Sequence, residues 1–123
     1  MAKKILIADD SEAFRKLEDT LLKPYGFTLL HASNGIEAMK VALGEKPDLI
    51  LLDIQMPVMD GAQVLAFLKK EPTTAGIPII VITTLGRPED RALLTSAGAY
   101  HLLGKPIQGT ELIRTVRAAL GQT

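Results

Sequence analysis

The chain has 123 residues, 47% apolar and 23% charged, with 14 basic residues against 14 acidic ones and no cysteine. That is enough for one domain with a genuine core. The balanced charge lacks the basic footprint of a nucleic-acid binder, and without cysteine there are no disulfides, thiolate nucleophiles or thiolate metal sites. No segment reaches the roughly 20 apolar residues a membrane span needs. The apolar stretch after Lys3-Lys4 is too short for a signal-peptide core, so the expected location is the cytoplasm.

Ile5 to Ala8 reads as a β-branched strand that stops at Asp9-Asp10, with Ser11 as N-cap of a first helix. Phe14, Leu17, Leu21 and Leu22 recur at helical spacing, and Pro24 and Gly26 end the helix. Phe27 to His31 is a second strand. A second helix, capped by Ser33 or Asn34, turns Ile36, Met39, Ala42 and Leu43 inward and ends at Gly44. The third strand is the apolar run Leu49 to Leu52, closed by Asp53 and followed by Met56-Pro57 and the turn pair Asp60-Gly61. Such a continuous run fits a strand buried on both faces of a parallel sheet.

A third helix from about Ala62 presents Val64, Leu65 and Leu68, and Pro72 breaks it. Ile77 to Ile82 is the most hydrophobic strand and ends in Thr83-Thr84. A loop with Gly86 leads to Pro88 in the first turn of a helix whose inner face is Leu93, Leu94 and Ala97, with Gly98 as its C-cap. Ala99 to Leu103 is the fifth strand, closed by Gly104-Lys105-Pro106. The last helix carries Leu112, Ile113, Val116 and Leu120. Five strands alternating with five helices over short connections predict an α/β domain with a parallel sheet. Right-handed crossovers then bring all strand carboxyl ends to one edge.

To that edge the first strand delivers Asp9 and Asp10, the third Asp53, the fourth Thr83 and the fifth Lys105. Each alone has an ordinary explanation, as an N-cap, a strand-end hydroxyl or a surface lysine. Together they share one edge, where ligands collect in open α/β sheets. If strands one and three are neighbours, three carboxylates crowd together, and two like charges about 4 Å apart repel by about 4 kcal/mol at an effective dielectric near 20. A cation relieves that repulsion, and hard oxygen donors without His or Cys favour Mg²⁺.

These residues resemble the receiver domains of bacterial two-component response regulators. Asp9-Asp10 is similar to their paired acids, Asp53 and the segment through Gly61 to their phosphoacceptor motif, Thr83 to their signalling hydroxyl and Lys105-Pro106 to their Lys-Pro pair. The likeness runs through the whole chain in order and spacing. It implies a flavodoxin-like (βα)5 fold with strand order 2-1-3-4-5 and a single receiver domain over 1–123 with no output domain in this chain. It also implies a phosphoacceptor regulator that catalyses only its own phosphoryl transfer and dephosphorylation.

In that reading Asp53 takes a phosphoryl group from a histidine kinase or phosphotransfer protein. Asp10, Asp53 and the Gln55 backbone carbonyl hold Mg²⁺, Asp9 positions it through water, and Lys105 neutralises phosphoryl oxygens. Thr83 turns toward the new group, the Lys105–Pro106 bond is cis, and partner binding changes through helix four, strand five and helix five. The regulator is a monomer or a phosphorylation-promoted homodimer, with an unknown downstream protein target and no nucleic acid or membrane contact. Two positions depart from the family pattern. Leu102 stands where a Tyr or Phe is usual, with Tyr100 and His101 just before it, and Thr84 is bulkier than the usual Ala or Gly.

Three other readings compete. A receiver-like module binding partners regardless of phosphate is favoured by Leu102. An aspartyl phosphatase wants Asp-x-Asp after strand one, whereas the acids here are adjacent. A nucleotide or flavin binder wants glycines and backbone N–H groups where this chain has Asp-Asp-Ser-Glu.

Overall fold

Five parallel strands lie in the order β2-β1-β3-β4-β5, as the resemblance implied. The computed structural model describes residues 2–56, 59–84 and 88–122, so the expectations for Pro57 and for the Gly86 loop fall outside the described residues. The strands are β1 (Lys4–Ala8), β2 (Thr28–Ala32), β3 (Leu49–Asp53), β4 (Ile79–Thr83) and β5 (His101–Gly104). The helices are α1 (Glu12–Leu22), α2 (Gly35–Glu45), α3 (Gly61–Lys70), α4 (Pro88–Ser96) and α5 (Gly109–Ala119). Every residue of β3 and β4 is buried, as central parallel strands covered by helices on both faces should be.

Alternation along the strands builds two cores. Leu6, Ala8, Ile50, Leu52, Ile79 and Val81 face one side, where Ala38, Ala42, Val64, Leu65, Leu68 and Leu94 cover them. Ile5, Ile7, Leu49, Leu51, Ile80 and Ile82 face the other, under Leu22, Leu112 and Val116. Thus α1 and α5 cover one face, and α2, α3 and α4 cover the other.

The helix starts follow the capping residues. Ser11 Oγ accepts from the Phe14 N–H at 3.2 Å, and Asn34, rather than Ser33, caps α2 by accepting from the Glu37 N–H at 2.8 Å. Asp60 and Gln63 form a reciprocal capping box on α3. Gly98 adopts φ +113° just past α4, a left-handed C-cap geometry.

Several inward assignments are corrected. In α1, Leu17 is 42% exposed while Glu18 is 1% exposed, so the buried face runs through Phe14, Glu18, Leu21 and Leu22. In α2, Ile36 and Leu43 are exposed and the small residues Gly35, Ala38 and Ala42 pack inward, which brings the helix close to the sheet. Gly44 does not end α2. The helix continues to Glu45 and stops at left-handed Lys46, because Pro47 has no N–H to extend the ladder. In α4, Leu93 and Ala97 face solvent. A nine-residue helix docks little more than one turn, and Leu94 fills that contact.

Candidate functional site at the carboxyl edge of the sheet

Because β1 and β3 are neighbours, the acids at their ends converge. Asp9 and Asp10 follow Ala8, which is in register with Leu52, and Asp53 is the next residue on β3. One carboxylate oxygen from each of Asp9, Asp10 and Asp53 lies within 4.8 Å of the others. Asp9 and Asp53 are buried, while Asp10 is exposed at the mouth. Three hard oxygen donors, one still open to water, are a donor set that fits Mg²⁺, an ion that keeps several waters.

Lys105, just past β5, reaches across to the cluster. Its Nζ stands 3.4 Å from Asp9 Oδ2 and 3.4 Å from Asp53 Oδ1. The Phe14 ring covers the ammonium group, with Nζ 4.2 Å from the ring centroid, a cation–π contact. The Lys105–Pro106 bond is cis, as expected.

Backbone donors fix the carboxylates. Asp9 Oδ1 accepts from the Ser11 N–H at 2.9 Å, and the Arg15 guanidinium donates to the Asp9 carbonyl at 2.6 Å. Asp53 Oδ1 accepts from the Gln55 N–H at 3.2 Å. Burial, followed by the charge of Asp9, pushes the Asp53 carboxyl up to about 6, although the Gln55 N–H and Lys105 act against the rise. Asp53 therefore sits in an anionic pocket that one lysine only partly neutralises.

Gly61 shapes the exit from β3. Its N–H donates to the Ile54 carbonyl at 3.0 Å, and an added Cβ would stand 2.5 Å from the Asp53 carbonyl oxygen and 2.6 Å from Ile54 Cα. Only glycine allows α3 to start that close to the strand end. Thr83, buried at the last position of β4, is in register with Gly104, and its carbonyl accepts from the Lys105 N–H at 3.1 Å.

The expected residues Asp9, Asp10, Asp53, Thr83 and Lys105 thus meet at one edge, with Gln55 beside Asp53. The pattern of apolar residues missed Phe14 as a cover for Lys105, Arg15 as a brace for Asp9, and Glu18 beneath the site. Their signal was helical phase, since Phe14 and Glu18 are one turn apart and share a face. At the position of the absent aromatic, Leu102 is half-buried and packs on the α4 side, Thr84 is exposed, and Tyr100 lies half-exposed just before β5.

A flavodoxin-like α/β domain whose switch-point edge carries an aspartate cluster and a lysine is the class that fold and site define. The chain belongs to the response regulator receiver domain family, whose model matches residues 5–117. It is 33% identical over 121 residues to the polar-differentiation response regulator DivK of Brucella anthropi, covering 98% of each chain. It is 36% identical over 117 residues to the protein PilH of Pseudomonas aeruginosa, covering 95% of this chain and 97% of PilH. Among solved structures, the receiver domain of the sensor histidine kinase PA1611 from Pseudomonas aeruginosa, which has a magnesium ion coordinated in its active site cleft, superposes with a TM-score of 0.90. That match has 26% identity over 99% of this chain and 100% of the other. The protein is therefore a receiver domain of two-component signalling, a class of signalling regulators. Among the described residues no helix is long and apolar enough to cross a membrane.

Proposed function

We propose that this domain is a Mg²⁺-dependent phosphoacceptor switch, with Asp53 taking a phosphoryl group from a histidine kinase or phosphotransfer protein. The observation that carries this reading is the convergence of the Asp9, Asp10 and Asp53 carboxylates with Lys105 equidistant from Asp9 and Asp53. Asp10, Asp53 and the Gln55 carbonyl would hold the ion, with Asp9 acting through water. When bound, the ion supplies positive charge to the phosphoryl oxygens. An Asp53 carboxylate oxygen attacks phosphorus while the P–N bond to the donor imidazole breaks, and the departing nitrogen keeps the electron pair and takes a proton. Lys105 neutralises charge on an equatorial oxygen, the electrostatic help that phosphoryl transfer chiefly needs. Water later attacks phosphorus, the bond from phosphorus to the Asp53 oxygen breaks, and inorganic phosphate leaves as the carboxylate is restored.

Thr83 then turns its hydroxyl toward a phosphoryl oxygen, and the change passes to the face of α4, β5 and α5. Leu93 and Tyr100 lie exposed in that region and give it apolar contact area. Output through contacts made by the receiver itself is supported by the match to DivK and PilH over nearly their whole lengths. Leu102 favours a second reading, partner binding that does not depend on phosphate. Phosphoramidate with Mg²⁺, followed by intact mass, separates the two. The switch reading expects one added phosphoryl group that is lost in Asp53→Asn, and no gain in the parent protein refutes it.

A further inference from the structure

Phe14 is a half-buried aromatic residue that the two apolar cores do not use. Phe27 packs against the core under α1 and α5, whereas Phe14 belongs to neither core. Its ring lies instead over the Lys105 ammonium group, with Nζ 4.2 Å from the centroid. The first turn of α1 fixes that ring relative to the acids. The Phe14 N–H donates to Ser11 Oγ at 3.2 Å, the Ser11 N–H donates to Asp9 Oδ1 at 2.9 Å, and Arg15 bonds the Asp9 carbonyl. Lys105 has no such brace of its own, because a flexible four-carbon stem carries its ammonium group. Its side chain is nevertheless only 13% exposed, with Nζ 3.4 Å from both Asp9 Oδ2 and Asp53 Oδ1.

We propose that Phe14 is a positioning residue for phosphoryl transfer, its ring face holding the Lys105 ammonium group against Asp53 and an arriving phosphoryl oxygen. This inference rests on the phosphoacceptor reading of Asp53. A ring face attracts a cation through its quadrupole, most strongly where the cation is shielded from water. An oxygen in its place would hold the ammonium group by a hydrogen bond, and so keep one of its three donors from the phosphoryl group. The ring also covers one side of the charge, and with less water there its field at Asp53 is stronger. A leucine would satisfy the packing of a half-buried position outside both cores. Only the cation calls for an aromatic face.

The test is phosphorylation of the full chain by phosphoramidate at saturating Mg²⁺ and fixed pH, followed by intact mass. Position 14 carries phenylalanine, its mono-, di- or trifluorinated analogue, tyrosine or leucine. Fluorine withdraws electron density from the ring face and leaves the ring volume nearly unchanged. The rate should fall stepwise with each fluorine. The trifluorinated protein and Phe14→Leu should both lose about fivefold, or about 1 kcal/mol, since about 1.36 kcal/mol is tenfold. Phe14→Tyr keeps the aromatic face and should stay within about twofold of the parent. Rates equal within about 1.5-fold across the fluorinated series overturn the proposal, because a packing role follows ring volume and not ring charge. That series also serves where Phe14→Leu folds poorly. If the parent gains no mass, the phosphoacceptor reading fails on its own account, and the Lys105 ε-methylene protons decide the positioning. A ring that holds the ammonium group moves them upfield in the parent and not in Phe14→Leu, whereas unshifted protons in the parent overturn it.

Discussion

Replacing Glu18 with leucine should stabilise the domain, by an amount that grows with pH. The Glu18 carboxyl ionises near pH 4.5 in an unfolded chain and near pH 8 in the fold. A pKa raised by folding gives a stability contribution that is complete below pH 4.5 and lost as pH climbs through 8. Each pH unit between the two values costs about 1.4 kcal/mol, so the loss is about 1 kcal/mol at pH 5 and about 4–5 kcal/mol at pH 8.5. Leucine has no such dependence and fills the same buried volume with apolar atoms. Urea denaturation in EDTA at pH 5, 7 and 8.5 measures the gap between the two proteins. Asp53 titrates in both, so its contribution cancels in the difference. The gap should widen by about 4 kcal/mol over that range, roughly 15 °C in Tm for a domain of this size. A gap that changes by less than about 1 kcal/mol would refute the buried, protonated state of Glu18.

With Asp53 held near 6, protons compete with a divalent ion for its oxygen, so Mg²⁺ affinity by calorimetry should fall about tenfold from pH 7 to pH 5. Asp53→Asn should flatten that dependence while also lowering the affinity. Gly61→Ala places a Cβ against the backbone of Asp53 and Ile54, and should cost roughly 2–4 kcal/mol in urea denaturation and slow phosphoryl uptake. Leu93→Ser, at a residue 68% exposed, should change stability by less than about 0.5 kcal/mol. A large loss there would mean that α4 buries Leu93.

The strand ends were legible because a buried parallel strand leaves a strong mark, an unbroken apolar run that stops at a polar residue. The runs before Asp9, Asp53 and Thr83 all stopped within a residue of the observed ends. Helix faces were less legible. Counting apolar residues in α1 put Leu17 inside, whereas packing against the sheet selects the row through Phe14, Glu18 and Leu22. A carboxyl in that row is invisible to hydrophobic periodicity, because a polar residue adds nothing to an apolar repeat wherever it points. In α2 the inner row is glycine and alanine, whose small size permits close approach but gives little hydrophobic signal. Cap residues carried more information, since Ser11, Asn34 and Asp60 each bond the backbone that their chemistry suits.

Position 102 of the fifth strand carries leucine where an aromatic side chain was the family expectation. Leu102 is in register with Val81 and packs on the α4 side with Leu94 and Ala99, so its half-buried side chain belongs to the core there. Tyr100 precedes β5, and its N–H is held by the Ile79 carbonyl at 2.8 Å, at the opposite end of the strand pair from Thr83. The backbone ties Thr83 to the end of the fifth strand, with the Lys105 N–H donating to the Thr83 carbonyl at 3.1 Å. The side chain of that same Lys105 is held by Asp9, Asp53 and Phe14. A charge added at Asp53 therefore acts on one residue that is tied to the site by its ammonium group and to β4 by its amide. The chain runs on from Lys105 through Pro106 to α5, so this residue connects the carboxylate cluster, β4 and the approach to α5.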